Sequence, residues 1–170
     1  MSSMKIFLSA VSSEFEACRD ELASDLRKVG AEVIVQRELQ QQGRTLLEKL
    51  ESYIVSCDRV IALVGNAYGW EPDAAALPAG TPRRSYTQWE YFFAQGERLE
   101  AFRQPAKDTF VYVASPEFPR PNAVGESPEV AALQQEFIAG IRARDKDHRS
   151  FRSVDELRRL VVLDGFHLVG

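Results

Sequence analysis

The sequence predicts an α/β domain in which a parallel sheet of five strands lies between two layers of helices. Five short apolar segments alternate with five amphipathic segments along the 170 residues, without a long interruption. This alternation is typical of a parallel sheet whose crossover helices cover both faces. The third apolar segment, residues 60–64, is unbroken, as expected for a strand buried on both faces. We therefore expect one domain over residues 1–170, with the flavodoxin-like strand order 2-1-3-4-5.

The individual elements follow from apolar periodicity and from turn residues. The expected strands are residues 6–8, 32–35, 59–64, 109–114 and 150–152. Ser13 and Glu16 have the spacing of a capping box, which predicts the start of the first helix, and Gly30 is expected to end it. The third helix is expected to start at Ser85, after a long loop.

Charge and composition exclude several classes of protein. The net charge is −4 and the pI is about 5.3, so neither a nucleic acid nor an anionic membrane is expected as a partner. No apolar stretch approaches the roughly 20 residues of a membrane span, and residues 1–5 do not resemble a signal peptide. Cys18 and Cys57 lie in apolar helical surroundings, which favours buried thiols in a reducing compartment. We expect a cytoplasmic protein.

Several familiar site motifs are missing. The first strand–helix turn contains no glycine, which excludes a dinucleotide fingerprint, and there is no P-loop. A phospho-acceptor receiver domain would need acidic residues where this chain has Ser9 and Val64. His148 and His167 lack metal-ligand spacing to each other or to a cysteine, so no metal and no bound cofactor are expected.

The predicted topology nevertheless locates a site. In this strand order, ligands bind beyond the carboxyl ends of strands one and three, which here lead into residues 9–13 and 65–70. The start of the third helix brings one carboxylate, Glu90, to the same region. Cleavage of an N-glycosidic bond passes through an oxocarbenium-like state that a carboxylate can stabilise or attack. When nicotinamide is the leaving group no acid is needed, so one glutamate suffices.

Four short motifs occur together along the chain: Lys5-Ile6-Phe7-Leu8-Ser9, Cys57-Asp58-Arg59-Val60, Gly65 with Tyr68-Gly69, and Ser85-Tyr86-Thr87 with Glu90-Tyr91. In that order they resemble a TIR-like domain of unknown function, found at the N-termini of bacterial and animal proteins that carry NACHT or other STAND-type ATPase modules. Arg19, which follows the turn at residues 13–15, also fits the pattern. The resemblance covers essentially the whole chain.

The resemblance implies a function and a set of site residues. Many TIR domains hydrolyse NAD with a glutamate on the third helix, which matches Glu90, and Tyr86 takes the place of their tryptophan. The loop at residues 36–43 corresponds to one that often controls assembly and access in the family. NAD would be a substrate rather than a cofactor, and a role in immunity or cell-death signalling would follow, with self-association or a fused or partner signalling domain. Nucleoside deoxyribosyltransferases use a similar fold and a glutamate nucleophile.

We therefore predict Glu90 as the catalytic residue, with a substrate-binding set of Ser9, Tyr68, Gly69, Trp70, Tyr86 and Arg37. Each has an ordinary structural alternative: Glu90 has capping-box spacing to Thr87, the aromatic residues could pack under the long loop, and Arg37 could be solvated. Two other functions stay open. One is a non-catalytic interaction module, and the other is base exchange or nucleoside transfer.

Overall fold

The sheet has the predicted topology. A computed structural model describes residues 3–35, 43–100, 102–121, 125–144 and 148–166. Its strands are Lys5–Ser9 (β1), Glu32–Val35 (β2), Arg59–Val64 (β3), Asp108–Ala114 (β4) and Arg149–Phe151 (β5). All neighbouring strands pair in parallel, in the order β2-β1-β3-β4-β5. The predicted α/β flavodoxin-like fold and its strand order are therefore confirmed.

The helices form a layer on each face of the sheet. They are Ser12–Lys28 (α1), Gly43–Ser56 (α2), Tyr86–Ala94 (α3), Pro128–Arg144 (α4) and Val154–Leu163 (α5), with a short 3-10 helix at Ala74–Ala76. Buried side chains of α1 and α5 pack together on one face. On the other face α2 packs with α3, and α3 packs with α4. No helix in the described ranges combines the length and the apolar character that a membrane crossing requires.

The helix termini agree with the sequence in two places and differ in one. Gly30, with φ of 98°, follows α1, and Ser85 caps α3 in a capping box with Gln88. The predicted cap at Ser13 is wrong. Helix α1 begins directly after a two-residue turn, its N-cap is Val11, and no side chain of the described residues caps that position. Ser13 is already inside the first turn, so its hydroxyl does not take the capping role.

Candidate active site at the carboxyl edge of the sheet

Glu90 and Ser9 meet where β1 ends. Ser9 is the last residue of β1, and its neighbour across the sheet is Ala62 of β3. The capped start of α3 turns Glu90 toward this edge, and Ser9 Oγ donates a hydrogen bond of 2.6 Å to Glu90 Oε1. The structure therefore joins two predicted site residues that are 81 positions apart, at the point where strand order favours a ligand site.

Glu90 lies in an environment that disfavours its charge. Its side chain has 0% exposure, and its second oxygen, Oε2, has no hydrogen-bond partner among the described residues. Burial raises the pKa of Glu90 to about 8, although the Ser9 hydrogen bond and the positive charge of Arg19 both act to lower it. Helix α3 is capped by Ser85 and Gln88, so capping does not account for Glu90.

A buried arginine accompanies this carboxylate. Arg19 on α1 is 2% exposed, and its Nη1 donates to Ser12 Oγ over 2.8 Å. Its Nε and Nη2 have no hydrogen-bond partner in the described part of the chain, although Asp20 Oδ1 lies 3.5 Å from Nε. Sequence reasoning did not select Arg19 as a site residue. The available signal was its position four residues after Phe15 and three before Leu22, which places a charge on the apolar face of α1.

The loop that follows β3 is fastened by Glu14 of α1. The backbone amides of Asn66 and Ala67 donate to its two carboxylate oxygens over 3.0 and 2.9 Å. Arg120 Nε donates to the same carboxylate over 2.5 Å. A Cβ at Gly65 would lie 2.2 Å from Glu14 Oε2, so a larger residue there would displace this carboxylate from its position beside the loop.

A second carboxylate binds the next two amides of the loop. Tyr68 N and Gly69 N donate to Glu126 over 2.8 and 3.0 Å. Gly69 has φ of 83°, which glycine adopts without strain. The buried Tyr68 donates its hydroxyl to Glu71, and burial raises the pKa of that phenol above its usual range. Both predicted residues are thus held firmly beside the end of β3.

Two buried amide side chains connect α3 to this loop. Gln134 of α4 donates from Nε2 to the carbonyl of Gly65 over 2.8 Å. Its Oε1 accepts from Gln88 Nε2 over 3.0 Å, and Gln88 completes the capping box with Ser85. Because Gln88 is two residues before Glu90, this chain of hydrogen bonds fixes the helix turn that carries the carboxylate. The sequence analysis missed this pair.

The remaining predicted residues are less closely associated with Glu90. Tyr86 is buried in the core that α2 and α3 share, whereas the Trp70 side chain is 85% exposed. Their backbones meet, since Tyr86 N donates to Trp70 O over 2.9 Å. Arg37 lies outside the described residues. Residues 71–74 and 77–84 line an open cavity of about 690 Å³, and none of the predicted site residues is part of this lining. Within the described ranges, no group of three or more His, Cys, Asp or Glu is placed to hold a metal.

The sequence matches one family over nearly its whole length. The model of a domain of unknown function, DUF4062, matches residues 5–164. The chain belongs to the DUF4062 family. No curated protein matches this DUF4062 chain significantly. Among solved structures, it is similar to the CMP N-glycosidase BcmB of Clostridium botulinum, with a TM-score of 0.50 and 16% identity over 94% of this chain and 98% of that one. At this identity the similarity establishes the shared fold of the DUF4062 chain.

Proposed function

We propose that this DUF4062 domain hydrolyses the N-glycosidic bond of a nucleotide, with the nicotinamide–ribose bond of NAD as its first candidate and Glu90 as its catalytic carboxylate. The observation that carries the proposal is the Ser9–Glu90 pair at the strand-order switch point, with Oε2 buried and without a hydrogen-bond partner among the residues that the structure describes. Buried carboxyl groups with a strongly raised pKa are characteristic of catalytic sites. The fold shared with a CMP N-glycosidase supports the same class of reaction.

The reaction needs few groups. As the bond between ribose C1′ and the base breaks, its electron pair leaves with the base, and positive charge develops at C1′. The Glu90 carboxylate stabilises this charge or forms a transient ester, and Ser9 fixes the orientation of the carboxylate through Oε1. Water then supplies the hydroxyl at C1′ and releases a proton. Nicotinamide leaves NAD as a neutral molecule, so the reaction requires no second acid.

The pKa of Glu90 bears on the choice of substrate. At about 8, it leaves most of the free domain with a neutral carboxyl at pH 7. A cationic nicotinamide ring beside it would favour the carboxylate, because an opposite charge lowers the pKa of an acid. A neutral base, as in CMP, would not give this assistance. The pH dependence of kcat, which reports the bound complex, should therefore lie at lower pH for NAD than for CMP.

The closed site suggests how activity could be controlled. Glu90 has 0% exposure, so a substrate reaches it only after the surrounding elements move apart. We propose that self-association or a signalling domain attached to this one favours the open state, as the TIR-like resemblance implies. A cell-death or antiviral role would then follow from loss of NAD. These assignments rest on the resemblance and on the closed geometry.

The direct test is base release by the purified domain. We expect nicotinamide from NAD, measured by chromatography at low and at high protein concentration, with a higher specific rate when the domain is concentrated. CMP and free cytidine are assayed in parallel. In a separate reaction a free pyridine base is added and the sugar product is identified, since a new glycosidic product would indicate base exchange. No release from any nucleotide, even by artificially clustered domains, would favour the non-catalytic interaction module.

Ser9 provides a sharper prediction about the state of Glu90. Replacing Ser9 with Ala removes the hydrogen bond that helps to keep the pKa of Glu90 from rising further. We expect the acidic limb of kcat/KM to move to higher pH and kcat/KM at pH 7 to fall about tenfold, since a hydrogen bond to a charged group contributes about 1.5–3 kcal/mol. Ser56→Ala, at the opposite edge of the sheet, is the control. An unchanged pH profile in Ser9→Ala would contradict the role of this hydrogen bond.

A further inference from the structure

Arg19 has a buried guanidinium edge, Nε and Nη2, that makes no hydrogen bond within the described residues. Nε and Nη2 lie on the same side of a guanidinium and together can bind two oxygens of one anion. In this chain both atoms are buried and make no hydrogen bond to the described residues, although Asp20 Oδ1 lies 3.5 Å from Nε. The third nitrogen, Nη1, donates to Ser12 Oγ. A buried guanidinium without full pairing is costly. A ligand that accepts hydrogen bonds from this edge would explain why the Arg19 guanidinium is buried here.

The first turn of α1 contacts the same guanidinium through Nη1. The hydrogen bond from Arg19 to Ser12 places the guanidinium at the helix N-terminus, where the helix dipole favours a negative charge. Val11 is the N-cap, and no side chain of the described residues caps it. Ser12 is exposed, so this position is next to solvent. The helix terminus and the buried Nη2 of Arg19, which has no hydrogen bond within the described residues, both favour an anion.

We propose that Arg19 and the first turn of α1 bind the phosphate of the nucleotide whose glycosidic bond Glu90 cleaves, so that the domain acts on nucleotides rather than nucleosides. This inference rests on the proposed function. Arg19 bonds to Ser12, Glu90 bonds to Ser9, and Ser9 and Ser12 are three residues apart in the chain, so both groups lie near the end of β1. A bound phosphate there would satisfy the Nε–Nη2 edge while the ribose lies toward Glu90. Two oxygens of a phosphate match this edge better than a single hydroxyl group.

Binding of ribose 5-phosphate, with ribose as the uncharged comparison, tests the phosphate site without requiring catalysis. Isothermal titration is carried out with the unchanged domain, Arg19→Met and Arg19→Lys. We expect ribose 5-phosphate, but not ribose, to bind the unchanged domain. Its affinity should fall at least about tenfold in Arg19→Met and by less in Arg19→Lys, which keeps the charge but lacks the paired edge. Arg27→Met removes a positive charge from the other end of α1 and should bind as the unchanged domain does.

Kinetics then separate this inference from the proposed function. In Arg19→Met, kcat/KM should fall for both substrates, because the Arg19 charge also lowers the pKa of Glu90, and the loss should be at least about tenfold larger for CMP than for cytidine. Arg19-dependent binding of ribose 5-phosphate without any base release would support the phosphate site and contradict the proposed reaction. Base release at equal rates from CMP and cytidine would support the proposed reaction and contradict the phosphate site. The phosphate site is overturned if ribose 5-phosphate does not bind, or binds equally well to the unchanged domain and to both Arg19 variants. If Arg19→Met does not fold, Arg19→Lys decides.

Discussion

Replacing Glu90 with Gln is expected to lower kcat/KM for nucleotide cleavage at least about 10³-fold. The variant keeps the size of the side chain and an oxygen that can accept the Ser9 hydrogen bond. It removes the negative charge that would stabilise or attack C1′, and an amide cannot replace that charge. Nicotinamide release from NAD and cytosine release from CMP measure the effect. Ribose 5-phosphate binding should persist, because the loss is chemical rather than structural.

The matched control is Glu16→Gln, which makes the same chemical change at an exposed position on α1. We expect its activity to equal that of the unchanged domain. Cleavage by Glu90→Gln within about tenfold of that rate would show that another group performs the chemistry. The assignment of Glu90 would then be abandoned, while the class of reaction would stand.

The same substitution is expected to stabilise the fold, increasingly so as the pH rises. The pKa of Glu90 is about 8 in the folded chain and 4.5 for the ordinary group, so the folded state holds a proton that the unfolded state has lost between these values. The free energy of unfolding of the unchanged domain therefore falls as pH rises through this window, and the decrease ends above pH 8. The Gln side chain has no proton to lose, so this decrease is absent from the variant. The free energy of unfolding of Glu90→Gln, relative to that of the unchanged domain, should therefore be larger at about pH 8 than at about pH 5 by on the order of 3 kcal/mol.

Thermal unfolding at the two pH values measures this difference. For a domain of this size, we expect the Tm of Glu90→Gln relative to the unchanged domain to increase by roughly 5–10 °C between about pH 5 and about pH 8. Glu16→Gln should show no such change, because its side chain is exposed. A difference that is the same at both pH values would mean that the pKa of Glu90 is not raised. If Glu90→Gln loses activity and gains stability, the Glu90 carboxylate is retained for its chemistry although it destabilises the fold.

Much of the fold could be predicted because its causes are local in the sequence. Unbroken apolar runs such as residues 60–64 predict buried strands, and the spacing of Phe15, Cys18 and Leu22 predicts one face of a helix. The helix cap predicted at Ser13 was wrong because only two residues separate β1 from α1, which places the N-cap at Val11, two positions earlier. Capping-box spacing occurs by chance within helices, and only the backbone path selects the actual cap.

The sequence predicted where the candidate site lies in the fold, but not all of the side chains that form it. Parallel strands end at the same edge of the sheet, so the order 2-1-3-4-5 brings the turn after Ser9 near the loop after β3. The hydrogen bonds of Glu14 and Glu126 to that loop could not be predicted, because carboxylates distant in sequence bind backbone amides there. The Gln88–Gln134 contact depends in the same way on how α4 packs beside α3.

The sequence by itself determined the fold class, the strand order and the proximity of Ser9 and Glu90, because apolar periodicity and the rules of parallel sheets depend on residue order alone. Only the tertiary structure decided that Glu90 and Arg19 are both buried, and that Glu90 Oε2 and Arg19 Nη2 have no hydrogen-bond partner in the part of the chain that the structure describes. Burial and hydrogen-bond pairing are properties of the packed chain. They set the pKa of Glu90 and thereby the chemistry that we propose for it.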